Sequence, residues 1–317
     1  MDQQYRHGFT FIELLVVIVV LGIVGGISLE AIRVYYEGIY RTQEYSKRVA
    51  QADHILEQAS KYFETAVMNS MVNLDKDASD GSLTGACDGA LNKAVPNSDY
   101  TTAFLAADEE SLHTAGTPGW SEDVKVTGFM LTALDANYAM ANTIITALYP
   151  TSNLVSSAVY DKNLTSPRDQ TNSCRRYNWD NAGGTILGVK TINSFTATTL
   201  TLNNNSNPNA MDGTQKYLIR TGYAFRVLDN GNFTMYSNFR PWKGEKYTQG
   251  KKNILGRNVA SFGVNYNMSD YGEDPALTDR GLVHTLKICM QGLNSDLSNS
   301  TKVEDEICRE RRVRVRY

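Results

Sequence analysis

From Phe9 to Leu29 the chain runs about 21 residues with a single charge, Glu13. Wound as an α-helix at 1.5 Å per residue, that stretch is roughly 30 Å long, the thickness of a bilayer's hydrocarbon core. A carboxylate at that depth costs about 2.5–3.5 kcal/mol on insertion scales, so Glu13 calls for an explanation. One explanation is a signal anchor that happens to carry a glutamate. The residues before it offer a sharper one. Gly8 is a small residue at the head of the apolar run, where a peptidase can cut, and Arg6 and His7 stand just before it. A cut after Gly8 turns the amine of Phe9 into a cation, one helical turn from Glu13. The two charges can pair within one chain or between neighbours. A buried charge that lacks a partner alone and gains one on packing drives assembly, because breaking such a pair costs several kcal/mol.

The block Gly8-Phe9-Thr10-Phe11-Ile12-Glu13-Leu14 resembles the class III signal of type IV pilins and pseudopilins. The resemblance implies that a prepilin peptidase cuts after Gly8 and methylates the new N-terminal Phe9, and that Glu13 serves assembly. It covers the first sixty or so residues. The eight-residue leader precedes the apolar segment, so, unlike a secretory signal peptide, this segment stays in the mature protein. Two features depart from the family pattern. Many pilins carry a proline near the end of the apolar half, where Glu30 stands here, and this chain has Gly22 and Gly25-Gly26 instead. Glycine costs about 1 kcal/mol against alanine inside a helix, which makes these the expected points of bending. They also suit close packing of membrane helices.

The helical pattern continues past the membrane. Tyr45, Val49, Ala52, Leu56, Ala59, Phe63 and Ala66 step by fours and threes, forming one apolar stripe. Glu37 with Arg41, Glu44 with Arg48 and Glu57 with Lys61 are i,i+4 pairs in the favourable order. With no proline before residue 96, a helix from Phe9 to about Val72 is expected. The implied organisation is a leader over 1–8, a transmembrane helix over 9–29, its amphipathic continuation over 30–72, and a head over 73–317. Roughly 245 residues of head suffice for one large or two small cores.

Within the head, 74–120 is rich in Gly, Asp, Ser and Asn and reads as loops. A second helix is expected from about Thr132 to Leu148, stopped by Pro150. Loops and this helix fill 73–182, and strand periodicity takes over from 183 to 317. Thr185–Ile192 and Phe195–Leu202 suggest a hairpin turning at Asn193-Ser194. Tyr217–Leu228 and Phe233–Phe239 flank Asp229-Asn230-Gly231-Asn232, a stronger hairpin signal. Val259–Tyr266, Leu282–Met290 and Ile307–Tyr317 complete the strands. A long helix followed by a sheet predicts an α+β fold, an antiparallel sheet packed on the helix stripe. The pilin head is similar, and the run Ile254–Phe262 has a looser likeness to the J-type minor pseudopilin.

Four cysteines, Cys87, Cys174, Cys289 and Cys308, permit two disulfides in an oxidising compartment and three connectivities. Reduced buried thiols are the alternative. Cys289 and Cys308 fall in the last two expected strands, and pilins often fasten their C-terminal region this way, which would leave Cys87 with Cys174. The tail alternates Arg312, Arg314 and Arg316 with Val313 and Val315, giving a strand with one cationic and one apolar face. Such a face can grip phosphates of DNA or a lipid surface. More commonly it is an edge strand whose charges block unwanted pairing. Asp270, Glu273, Asp274 and Asp279 form an acidic loop, a candidate for calcium because some pseudopilins hold calcium in C-terminal loops; a solvated turn is the commoner origin. No other cofactor is indicated. Asp75, Asp77 and Asp80 lack the glycine and glutamate register of a calcium-binding loop.

The net charge of −3 argues against general nucleic-acid coating. No Gly-x-Ser-x-Gly, His-Glu-x-x-His or phosphate loop occurs, so catalysis has no sequence support. The reading is a minor pilin or minor pseudopilin. Before assembly it would cross the inner membrane once, with a periplasmic head. Afterwards it would lie in a pilus or pseudopilus beside other pilins. A DNA- or surface-binding tip module is the rival.

Overall fold

A computed structural model describes residues 10–67, 70–75, 87–88, 100–107, 138–161, 177, 179, 188–197, 200–203, 216–265, 283–292 and 306–315. Contacts divide the chain into two units, residues 1–50 and 51–317, here the stem and the head.

The helix α1 spans Phe11–Glu64 and runs unbroken through Gly22, Gly25 and Gly26. Apart from the adjoining helix itself, no atom of the described residues lies within 4 Å of where a Cβ would stand on any of the three. In the stem, Glu37 pairs back with Arg33 at 3.0 Å instead of forward with Arg41, and Glu44 meets Lys47 instead of Arg48. Each acid has basic residues on both sides within a turn, and at such exposed sites the choice is worth only about 0.3–0.5 kcal/mol. The expected Glu57–Lys61 pair forms, at 3.9 Å.

Burial inside the chain begins later along the stripe than its periodicity suggests. Tyr45 is exposed, whereas Ala52, Ile55, Leu56, Ala59 and Phe63 are buried. The helix also ends eight residues early, at Glu64 instead of about Val72. The next residues pair with the sheet: Ala66 bridges Ala106, and the Val67 N–H donates to Leu105 O at 2.7 Å. Ser70 secures the exit, its hydroxyl donating to Val67 O and accepting from the Leu105 N–H.

Strands β1 (Val72–Asp75), β2 (Cys87–Asp88) and β3 (Tyr100–Ala107) lie where loops were expected. Thr101 to Ala106 are buried without alternation, so β3 lacks the period-two pattern by which a half-exposed strand is recognised. The helix α2 (Tyr138–Leu148) is followed by β4 (Ala158–Asp161), β5 (Lys190–Phe195), β6 (Leu200–Leu202) and β7 (Lys216–Val227). Then come β8 (Phe233–Phe239), β9 (Lys251–Gly256), β10 (Val259–Asn265), β11 (Val283–Met290) and β12 (Ile307–Arg314). The β5–β6 connection falls at 196–199, not at Asn193-Ser194: Phe195 stays in the strand, where it packs on the α2 cluster of Tyr138 and Ile145.

All strand pairs are antiparallel. The larger sheet has the order β2-β1-β3-β7-β4-β5-β6, with β8 on β7 and β9 on β8; the smaller is β10-β11-β12. The twelve-residue β7 organises the first, because β3 takes one side while β4 and β8 share the other. Its hairpin to β8 turns at Asp229-Asn230-Gly231-Asn232, where Gly231 has φ 73°, a conformation glycine adopts without a Cβ clash.

Beneath the last turns of α1 lies an aromatic core that joins both sheets. The Phe63 ring is 4.5 Å from Phe104 of β3, 5.3 Å from Phe225 of β7 and 6.3 Å from Phe262 of β10. Phe233 of β8 lies 4.6 Å from Phe262. The architecture is α+β, a long N-terminal helix with an antiparallel sheet head.

Candidate functional site

Two places in the chain carry the chemistry that the sequence singled out. The first is the start of α1. Thr10 caps it: Leu14 N–H donates to Thr10 O at 3.2 Å. The Glu13 carboxylate turns back toward the helix end, and its Oε2 accepts from the backbone N–H and the hydroxyl of Thr10, both at 3.3 Å. This is the return half of a capping box, and it places negative charge against the positive end of the helix dipole. The carboxylate is therefore aimed at the N-terminal side, at the residue immediately after Phe9. Gly8 and Phe9 themselves lie outside the described residues.

Beyond Glu13 the helix is bare. From Phe11 to Leu29 every large apolar side chain is exposed, and the segment has a mean hydropathy of 2.7 with none of its span buried within the chain. It is long and apolar enough to cross a membrane. Residues 3–29 match the family model for the prokaryotic N-terminal methylation motif. The chain carries a type IV pilin-like prepilin signal. The apolar helix and this prepilin signal together fit membrane anchoring and pilus assembly. Neither a curated protein nor a solved structure matches the chain.

The second place is the smaller sheet. Cys289 and Cys308 face each other across β11 and β12 and form a disulfide, with Cα atoms 4.0 Å apart. Closing the loop between them is worth around 3 kcal/mol on the chain-entropy model. Cys174 lies outside the described residues, as does the side chain of Cys87. Among the described residues, Cys289, Glu306 and Cys308 are the group whose potential ligand atoms fall within 4.8 Å. Both sulfurs are spent in the disulfide, leaving one carboxylate, so this group does not make a cation site. The acidic loop residues Asp270, Glu273, Asp274 and Asp279 lie outside the described residues.

Among the described residues strand β12 pairs only with β11, at the edge of the smaller sheet. Val313 and Val315 are buried, while Arg312 and Arg314 are exposed, the two-faced strand that the alternation implies; Arg316 lies outside the described residues. Arg309 approaches Asp53 of α1 at 3.9 Å, and Glu310 is taken by Lys287 at 3.0 Å. Arg311 is exposed too, a cation that the alternation argument did not count.

Sequence reasoning gave no role to His284. It is the second residue of β11, opposite Val313, and is fully buried, and desolvation lowers its pKa to about 4. No motif surrounds it; only its place in an apolar strand between Val283 and Leu286 hints at burial.

Proposed function

We propose that this chain is a minor pilin or minor pseudopilin, a structural subunit placed near the tip of a type IV pilus or a type II secretion pseudopilus. A prepilin peptidase cuts after Gly8 and methylates Phe9, and the subunit waits in the inner membrane with its head in the periplasm. Other pilins or pseudopilins then receive its helix. One observation carries the reading: an uncovered, membrane-length helix under a prepilin signal, with a single carboxylate near its start. Among the described residues none covers that helix, so its lateral surface is available first to lipid and then to neighbouring helices. The head is large for a helical array, where bulky heads crowd one another, which favours a low-copy, terminal position.

Glu13 supplies the assembly step. Removing its lone charge from the membrane interior by pairing it with the amine of a neighbouring Phe9 makes packing favourable. Glu13→Val should leave membrane insertion intact and reduce incorporation into sheared filaments; normal incorporation would rule out that role. Deleting the gene separates the two systems. Loss of surface pili or DNA uptake with secretion intact assigns it to a pilus, and loss of secretion alone to a secretion pseudopilus.

The exposed arginines of β12 favour a second reading, a tip module that binds DNA or an anionic surface. Neutralising Arg312, Arg314 and Arg316 together should abolish DNA binding and spare assembly. If DNA binding persists, the charges are better explained as protection of a free sheet edge.

A further inference from the structure

We infer that Tyr35 and Tyr36 form an aromatic belt in the lipid headgroup layer, and that this belt sets the depth at which Glu13 is held in the membrane. The inference rests on reading α1 as a membrane helix that later joins a filament.

The geometry comes from the stem alone. The apolar run closes at Leu29, and Glu30 marks the edge of the hydrocarbon. Tyr35 lies about 9 Å further along the helix. Helical side chains lean toward the N-terminus by about a turn, which lowers the rings into the headgroup layer, about 5–7 Å thick on each side. The rings are 67% and 66% exposed, so among the described residues most of their surface is open. They stand edge to face, with centroids 6.1 Å apart. As consecutive residues they point about 100° apart around the axis. A single neighbouring helix would cover one face, whereas a lipid interface surrounds the helix and suits both. Tyrosine prefers that layer because its ring is apolar and its hydroxyl is wet. Arg33, tied to Glu37 at 3.0 Å, adds a partly neutralised cation with an apolar stem at the same level.

This placement fixes the other end. With Leu29 at the hydrocarbon edge, Glu13 lies about 24 Å deeper, roughly 6 Å short of the far edge of a core of about 30 Å. A slide of about one turn would bring its carboxylate to water on the far side. The slide would also drag the Glu30 carboxylate, two phenol hydroxyls and Arg33 into hydrocarbon. The belt thus holds the helix at the depth where Glu13 stays buried, and pairing in a filament remains its route to a counter-charge.

The test uses the full chain in vesicles of phosphatidylethanolamine and phosphatidylglycerol. A nitroxide is attached through Ser28→Cys under non-reducing conditions, and its depth is read from its accessibility to oxygen and to a water-soluble nickel complex. The native chain carried through the same labelling gives the background. The label should sit just inside the hydrocarbon. Against a Glu30→Gln background, which removes the other group opposing the slide, Tyr35→Ala with Tyr36→Ala should move it about 5 Å deeper, one turn of helix. Adding Glu13→Leu to that variant should abolish the shift. An unchanged depth on losing both tyrosines would overturn the belt. A shift that persists with Glu13→Leu would overturn its link to the carboxylate. Depth is read without any filament. A native chain that never enters filaments would therefore sink the proposed function while leaving this result standing.

Discussion

Two parts of one helix differ more than their sequences suggest. Residues 11–50 contain the most hydrophobic stretch of the protein, yet Ile18, Leu21 and Ile27 are exposed by more than half. Residues 51–64 are studded with charge, yet Ala52, Ile55, Leu56, Ala59 and Phe63 are buried to within 1%. Total hydrophobicity would rank their burial the wrong way round. The pattern ranks it correctly: apolar residues on all sides need an environment beyond the chain, whereas a single stripe needs one facing sheet. The first part is suited to surroundings outside the chain, the second to its own head.

The strongest way to break this contrast is to delete comparable apolar mass from each part. Phe63→Ala should cost the head about 3–5 kcal/mol, because its ring contacts Phe104, Phe225 and Phe262 and joins the two sheets. Val17→Ala should leave head stability unchanged within about 0.5 kcal/mol, since that side chain is exposed. Both are read by urea unfolding of the full chain in detergent, with head tryptophan fluorescence as signal. Equal losses from the two variants would dissolve the distinction.

The two parts were also unequally legible in the sequence. The stem and the prepilin signal could be read outright, because a long apolar run and the motif at its head are local features. The stripe of α1 was legible as well, but its end was not. Thr65 to Val67 leave the helix for pairing with β3, a long-range partner that no local pattern reports. The strand β3 was hidden because burial on both faces removes alternation. The hairpin between β7 and β8 could be read because Gly231 marks a turn that requires positive φ. His284 was missed for a different reason: burial of a histidine depends on its strand neighbours, and nothing in its own surroundings announces it.

A pH titration sharpens the contrast, since it acts on the head. The folded pKa of His284 is lowered to about 4 by burial, below its ordinary value of 6.5. Above 6.5 both states are neutral there. Between 6.5 and 4 the unfolded chain takes up a proton that the folded head refuses, so stability falls as pH falls. At about 1.4 kcal/mol per unit the loss approaches 3 kcal/mol near pH 4. His284→Leu should flatten that part of the profile. If the head melts identically at pH 4 and 6.5 in the native chain, His284 is not the buried neutral group described here.

The smallest effect tests the contact that makes the second part of the helix belong to the head. A Cβ at Gly256, the end of β9, would run into the Cδ1 atom of Ile55. Next to this glycine, Gln51 donates from its side-chain amide to Arg257 O at 3.1 Å, so the first turn of the buried stretch meets the β9–β10 turn at two points. Gly256→Ala should therefore cost about 1–2 kcal/mol, the low end of overpacking, because the obstructing atom is the tip of a flexible side chain. Ile55→Val removes that tip and alone should cost about 0.5–1.5 kcal/mol. Together the two should cost clearly less than their sum, since the missing methyl vacates the space that the new one needs. Strict additivity would mean that helix and turn do not share this contact, and the boundary between the two parts would have to be drawn nearer to Ala59. A favourable coupling places it at Gln51, where the chain changes from a surface offered to others into a core of its own.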